Sequence, residues 1–435
     1  MSYRARDIPH LAGTPLGRME LSNGVRYRLW PILSRLARRH RVRTLNDTRV
    51  ISVVGSYGKT TTTRALITAL GAKEHQRTGL NCWNHLAEAL LRVSPTDGYA
   101  AFEVGINGPG QMEQYADMIR PDITVVTAIG SEHHRSLGDL SATREEKSRM
   151  VRILDERGTA VLNGDDENAW WMRNHTRARI VTFGFDETND VYATDVVDTK
   201  DYTTTFRLHG GGSSRAMHIR LAGRHMIYPV LAAAAVVEAE GGSAEDADAA
   251  LEHMAPTPGR MQPVALSNGV TLLRDDYKSS LETVHAALDA LSRVSARRKI
   301  VVLGEVSEPP GSQGPIYRRI GQRLAELADM AIFVGSNFQR YSAGALAGGM
   351  PRSALVDAGH SVLDATRQLL DHTCEGDLVL IKGRDTQRLE RIACGLEGRP
   401  VRCDINFCQT RLTSCAQCPM LERGWSGKRV VIGQR

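Results

Sequence analysis

Apolar residues in this chain fall in short, unalternating runs separated by helical patterns. "RVISVVG" (49–55), "AAFEVG" (100–105), "DITVVTAIG" (122–130), "TAVLNG" (159–164) and "RIVTFG" (179–184) make a first set. Runs of this kind suit strands covered on both faces, as in a parallel sheet. Residues 191–221 alternate more, as in "YTTTFRLHG", and predict a small antiparallel addition. A second set follows: "VTLLRDD" (270–276), "KIVVLGE" (299–305), "MAIFVG" (330–335) and "DLVLIKG" (377–383). Within it, "SLETVHAALDALSR" puts Leu281, Val284, Leu288 and Leu291 on one helical face. The Pro- and Gly-rich "APTPGR" (255–260) follows the helix-like "YPVLAAAAVVEAEGG" and separates the two sets.

A length of 435 residues exceeds one ordinary core, so two or three domains are expected. Composition, 42% hydrophobic and 24% charged, is that of a soluble globular protein. No stretch approaches eighteen apolar residues, and the first thirty residues lack the apolar core of a secretory signal. A protein of the cytoplasm is the simplest reading. The net charge of +6 is uneven: residues 1–50 carry eleven arginines against Asp7, Glu20 and Asp47. This basic amino-terminal extension, 1–47, includes "YRLWPILSRLARRHRVR", which suits an amphipathic helix packed on the first domain, with Pro31 in its first turn. Such a segment also suits peripheral contact with an anionic membrane or an acidic partner. The basic charge is confined to one short segment, so no nucleic acid is expected.

The first strand runs into "GSYGKTTTT" (55–63), which leads into the helical "TTRALITAL". A strand, a tight turn and a helix N-terminus in that order aim backbone N–H groups at a phosphate. Gly55, Ser56 and Gly58 would form the turn, Lys59 would reach the outer phosphates, and the Thr60 hydroxyl would hold Mg²⁺. Thr61 opens the helix facing phosphate. The loop departs from the general Walker spacing, because Val53 stands where that pattern has its first glycine. The architecture predicted is α/β. A P-loop central domain with a mostly parallel sheet (48–254) is followed by a Rossmann-like α/β domain (255–398) and a cysteine-rich tail (399–435).

The short loop Gly-x-x-Gly-Lys-Thr-Thr resembles that of the Mur ligase superfamily, ATP-dependent enzymes that join a carboxylate to an amine. "FEVGINGPGQM" (102–112) resembles the family's Glu-x-Gly segment, which implies Glu103 as a magnesium ligand. "PDITVVTAIGSEHHRSLGDL" (121–140) is similar to the strand and loop that end in a metal-binding histidine, here His133, with Ala128 where the family has Asn. Lys147, in "TREEKSRMV", matches the lysine that the family carries as a carbamate, in effect a carboxylate on a long arm able to hold a second Mg²⁺. In "TAVLNGDDENAW" the resemblance places Asn163 and Asp165 or Asp166 near nucleotide. "LAGRHMIYPVLAAAAV" resembles the adenine segment, retaining His225 but with Met226 and Pro229 for two asparagines. "PGRMQ" matches the linker arginine, Arg260, implied to contact ATP phosphates. "LLRDDYKSSLETVHAAL" keeps Asp275, Asp276 and Tyr277 of the family's segment, implying Asp276 at the nucleotide and Tyr277 at substrate. "DLVLIKGRDTQRLERI" implies that Lys382 and Arg384 touch the amine substrate or phosphate. "VVLGEVSEPPGSQGPIYRRIGQRLAE" is most similar to the branch that adds D-alanyl-D-alanine.

The resemblance implies an acyl phosphate made from ATP and an acid, attacked by an amine, with Lys59, His133 and Lys147 at the chemistry and closure of two α/β domains excluding water. The substrates would be small or peptide-like acids and amines. The family's UDP-sugar-binding amino-terminal domain would need about eighty or more residues before the loop. Fewer than sixty precede it, so that domain is expected to be missing and the acid to differ, as in poly-γ-glutamate and cyanophycin enzymes. The other readings are a degenerate nucleotide-binding or scaffold protein and a folylpolyglutamate-type ligase.

Cys403, Cys408, Cys415 and Cys418 are spaced Cys-x4-Cys-x6-Cys-x2-Cys. Four thiolates so close in sequence can surround Zn²⁺, or hold an iron–sulfur cluster. Buried free thiols and redox-active cysteines are the competing readings, whereas Cys82 and Cys374 read as ordinary buried residues.

Overall fold

A computed structural model describes residues 8–131, 137–309, 311–408 and 410–424. The chain divides into two compact units, Arg26–Thr257 and a second that joins the chain up to Val25 to the chain from Pro258 onward. Two helices, α1 (Ile8–Ala12) and α2 (Pro15–Arg28), come first, followed by α3 (Trp30–Thr44).

The central unit holds an eight-stranded sheet. Its strands are β1 (Arg49–Val54), β2 (Tyr99–Glu103), β3 (Ile123–Val126), β4 (Thr159–Asn163), β5 (Arg179–Gly184), β6 (Val191–Asp198), β7 (Thr204–Gly210) and β8 (Ser213–Ile219). The order is β2-β1-β3-β4-β5-β6-β7-β8. Pairings among β1 to β6 are parallel; β6, β7 and β8 form the antiparallel addition that alternation predicts. The unalternating strands are buried almost throughout, because helices cover both faces. Register sets Val53 beside Glu103 and Val54 beside Val126, so the carboxyl ends of β1, β2 and β3 are level.

The helices of this unit are α4 (Lys59–Ala69), α5 (Trp83–Leu91), α6 (Gln111–Ile119), α7 (Leu140–Arg152), α8 (Glu167–Trp171), α9 (Tyr228–Ala239) and α10 (Ala244–Glu252). The alanine run of α9 is buried all round, and small side chains let it lie close to α4 and β5. Helix α3 packs on α5 and α6 through Trp30, Leu33 and Ala37, as an amphipathic helix should. Trp30, Trp83 and Tyr115 meet edge to face at 5.4–5.8 Å.

The second unit holds β9 (Gln262–Ala265), β10 (Thr271–Asp275), β11 (Arg298–Leu303), β12 (Met330–Phe333), β13 (Leu355–Asp357) and β14 (Asp377–Lys382). Their order is β13-β12-β11-β14-β10-β9, parallel except for β9. Its helices are α11 (Leu281–Arg293), α12 (Gln313–Leu327), α13 (Phe338–Ala347), α14 (Val362–His372), α15 (Glu390–Leu396) and α16 (Met420–Arg423). Val284, Leu288 and Leu291 are buried on α11, with Leu281 half-buried at its end.

The cysteine-rich tail is integral to this unit. Cys403, Ile405 and Met420 form an apolar cluster with Leu11 and Leu16 of the amino-terminal helices. Arg391 of α15, fully buried, ties the tail down by donating to the carbonyls of Cys403 (2.6 Å) and Ile405 (2.8 Å). Among the described residues, no helix is long and apolar enough to cross a membrane.

Candidate functional site

Strand β1 delivers Val54 to a four-residue turn, and α4 begins at Lys59. Gly55 has φ +151°, and a Cβ there would lie 2.0 Å from Thr127 Oγ1. Only glycine lets the loop pass so close to the end of β3. Gly58, left-handed at φ +84°, caps α4. The loop is laced to the segment after β3: Ser56 N donates to the Ala128 carbonyl (2.6 Å), Gly130 N donates to Ser56 Oγ (2.9 Å), and Thr127 Oγ1 donates to the Tyr57 carbonyl (2.6 Å). Lys59 Nζ donates to the carbonyl of Gly55 (2.9 Å) and to that of Ser56 (3.3 Å). Thr61, the third residue of α4, is buried.

The Thr60 hydroxyl donates to Glu103 Oε2 at 2.7 Å. Sequence pattern does not show what orients Glu103: Asn81 donates to its other oxygen at 2.6 Å, and Gln76 bonds both its N–H (2.7 Å) and its carbonyl (2.8 Å). Asn81 and Gln76 lie in a loop without periodicity, and only a contact with β2 reveals them. A hydroxyl and a buried carboxylate are hard oxygen donors, and they fit Mg²⁺.

Lys147 is not a surface lysine. It lies on α7, only 2% exposed, and donates to Ser56 Oγ at 2.8 Å. Burial, with the Lys59 charge adding to it and Asp166 opposing, holds its pKa well below the ordinary lysine range. Asp166 is the acid beside it. Asp166 accepts N–H bonds from Ile129 (3.1 Å) and Ala169 (2.8 Å). Asp165 points elsewhere, accepting from Phe185 N (2.6 Å) and the Tyr228 hydroxyl (2.9 Å). His133 lies outside the described residues.

His225 is half-buried in a turn, Arg224–Met226, ahead of α9. Beside it the Arg224 guanidinium covers the Phe185 ring at 4.0 Å, and Phe185 meets Tyr228 edge to face at 4.9 Å. This ring platform carries no sequence signature, because its members come from two separate elements.

The second unit gathers its own candidates at the carboxyl end of β10. Arg260 covers the Tyr277 ring at 4.7 Å. Asp276 is paired with Arg274 through bonds of 2.9 and 3.2 Å. Lys382 at the end of β14 bonds Asp275 (2.7 Å), the Lys278 carbonyl (2.5 Å) and Thr283 Oγ1 (3.2 Å). Its ammonium is thus held inside the unit, where it braces the 275–278 turn. Arg384 lies over the Phe407 ring at 5.8 Å, and its Nε is buried without a hydrogen-bond partner.

The tail corrects the expected zinc or iron–sulfur site. Cys403, Cys408 and Cys418 pack in one apolar cluster, and Cys415 packs in another with Cys394 and Leu421. All seven cysteines are free, and among the described residues no three His, Cys, Asp or Glu side chains are arranged to hold a metal. Burial pushes the Cys415 and Cys418 thiols up. Cys415 N instead donates to Glu390 (2.8 Å), which also pairs with Arg388 (3.1 Å). Cys82 and Cys374, expected buried, are partly exposed.

A phosphate loop closed on a hydroxyl–carboxylate pair, in a chain of two α/β units, belongs to the class of nucleotide-binding P-loop proteins. Residues 53–237 match the Mur ligase middle domain, and 259–384 match the Mur ligase glutamate ligase domain. The chain belongs to the Mur ligase family. It is 25% identical over 364 residues to the UDP-N-acetylmuramoyl-tripeptide–D-alanyl-D-alanine ligase of Escherichia coli (strain K12), covering 82% of this chain and 78% of that one. To the ligase of the same name from Mycobacterium tuberculosis (strain ATCC 25618 / H37Rv) it is 29% identical over 372 residues, covering 80% and 72%. The crystal structure of MurF from Acinetobacter baumannii superposes with a TM-score of 0.76 at 25% identity, covering 85% of this chain and 81% of that one.

Proposed function

We propose that this ligase converts a peptide-like carboxylate to an acyl phosphate and joins it to an amine, with ADP and phosphate as co-products. The observation that carries this reading is the buried group of Lys59, Thr60, Glu103 and Lys147 around one turn. A carboxylate does not acylate an amine at neutral pH, because oxide is a poor leaving group. Bound ATP and Mg²⁺ supply the phosphoryl group and the charge that makes it transferable.

The chain's own part is positional and electrostatic. Lys59 is held at the turn by two backbone carbonyls and would move its charge onto the outer phosphates. Thr60 and Glu103 would hold one cation, with Asn81 and Gln76 fixing the carboxylate. Lys147, its charged form disfavoured by burial and by the Lys59 charge, is suited to take up CO₂. Its Nζ adds to the carbon and loses one proton, giving a carbamate. With His133, that carbamate would hold a second cation, which a plain ammonium would repel. His225, with the Phe185–Tyr228 platform, would serve the base, and Arg260 and Asp276 the phosphate end of the nucleotide. Tyr277 would serve the substrate, and Lys382 and Arg384 the incoming amine or phosphate.

The names of the relatives make D-alanyl-D-alanine the first amine to try, against a range of peptide-like acids. ADP release is measured over acid and amine pairs, and the product is weighed by mass spectrometry. Release should require both partners and should fall at least about 100-fold in Lys59→Ala. Undiminished turnover in that variant would refute the phosphate-loop assignment.

A further inference from the structure

The two sides of α3 differ in kind. Trp30, Leu33 and Ala37 pack inward. The outer side presents Leu29, Ile32, Leu36 and Val42, which are 44%, 56%, 49% and 47% exposed. Arg28, Arg35, Arg39 and Arg43 are exposed among them. Within α3, helical spacing sets Ile32 and Leu36 in one row and Arg35 and Arg39 in the row beside it, with Arg28 at the end of α2 and Leu29 in the turn just before α3. Three neighbouring arginines are engaged within the unit: Arg26 with Glu88 (3.1 Å), Arg38 with Asp117 (3.0 Å) and Arg41 with Asp122 (2.9 Å). Among the described residues, the four outer arginines have no acidic partner.

We propose that this face rests on an anionic lipid surface. A bilayer interface presents phosphates at one depth and acyl carbon a few ångströms deeper. Adjacent rows of guanidinium and aliphatic side chains on one convex helix meet both layers at once. The arginine stems add apolar contact while their heads stay at the phosphates. An acidic peptide or a nucleic acid would satisfy the arginines but would leave the aliphatic row facing water. The helix is too short and too polar to span, so it would lie in the plane of the interface.

The full chain is sedimented with vesicles of phosphatidylcholine alone and with vesicles that also contain phosphatidylglycerol, at low and high salt. It should bind the anionic vesicles only, and more weakly as salt rises. The triple variant Arg28→Glu/Arg35→Glu/Arg39→Glu should lose at least about 100-fold in partitioning, since each arginine at such a surface is worth about fivefold. Ile32→Ser/Leu36→Ser should lose about tenfold or more. The outer face makes no core contact, so both variants should keep the wild-type unfolding midpoint. No binding of the wild type to anionic vesicles overturns the proposal. So does wild-type binding by the serine variant, which would mark the arginines as a site for an acidic macromolecule.

Discussion

Replacing Lys147 with methionine separates two accounts of that side chain. If the lysine were a charged partner for Asp166, its removal would strand a carboxylate in a buried site. The cost would be about 3–5 kcal/mol. The geometry argues otherwise. Asp166 already accepts two backbone N–H bonds, while the bond from Lys147 Nζ goes to Ser56. With burial disfavouring the ammonium, the variant loses that one bond, about 1 kcal/mol, and gains an apolar side chain of similar length in an enclosed site. Where the unfolded lysine is also unprotonated, above its ordinary pKa, the two nearly cancel and the unfolding free energy should change by no more than about 1 kcal/mol; at lower pH the variant should be the more stable.

Linkage adds a second signature. The native lysine is held below its ordinary pKa, so the unfolded chain binds the extra proton first as pH falls below the ordinary value. Wild-type stability therefore rises with pH across that window, and the methionine variant should lack this component. The assay is urea unfolding of the full chain across pH, alongside ADP release with and without bicarbonate. Turnover by the wild type should require dissolved CO₂. The variant should turn over at least about 100-fold more slowly and ignore bicarbonate. A stability loss above about 3 kcal/mol would refute the poised-amine account in favour of a structural ion pair.

Other substitutions test the rest of the frame. Gly55→Ala places a methyl 2.0 Å from Thr127 Oγ1, and it should weaken ADP binding by about 100-fold in calorimetry while costing about 1–3 kcal/mol of stability. His85 is held at a pKa of about 4 by burial, with Glu88 opposing and Arg26, Arg77 and Arg92 adding to the effect. Its native value lies below its unfolded one, so it withdraws about 3 kcal/mol of stability as pH falls from 6.5 towards 4. His85→Gln should flatten that part of the wild-type curve in a pH series of unfolding midpoints. Arg391→Met removes donors from buried carbonyls, should cost about 3–5 kcal/mol, and should expose residues 399–424 to limited proteolysis.

Much of the frame was legible in the sequence. The apolar runs that became β1 to β5 needed no alternation, because both faces of a central parallel strand are covered. The alternating stretch became β6 to β8 because one of its faces meets solvent. The phosphate loop was readable for the same local reason. A turn that bends a strand into a helix needs glycine at fixed places, and Lys59 and Thr60 follow them directly.

What the sequence could not supply was set by contacts between distant segments. Gln76 and Asn81 look like loop residues until β2 brings Glu103 to them. The different surroundings of Asp165 and Asp166 follow from where α8 begins: capping that helix turns Asp166 towards Ile129 and Lys147, while Asp165 bonds Phe185 and Tyr228. That Lys382 is bonded to Asp275 was invisible in the sequence, because the two meet only where β10 and β14 pair. Close spacing made the four tail cysteines look like one site. Folding divided them, because Leu11, Leu16 and Met420 draw three thiols into one apolar cluster and Cys394 draws the fourth into another. Local backbone geometry, and the chemistry tied directly to it, was encoded within a few residues. Partners far apart in the chain were decided by packing, which no local pattern records.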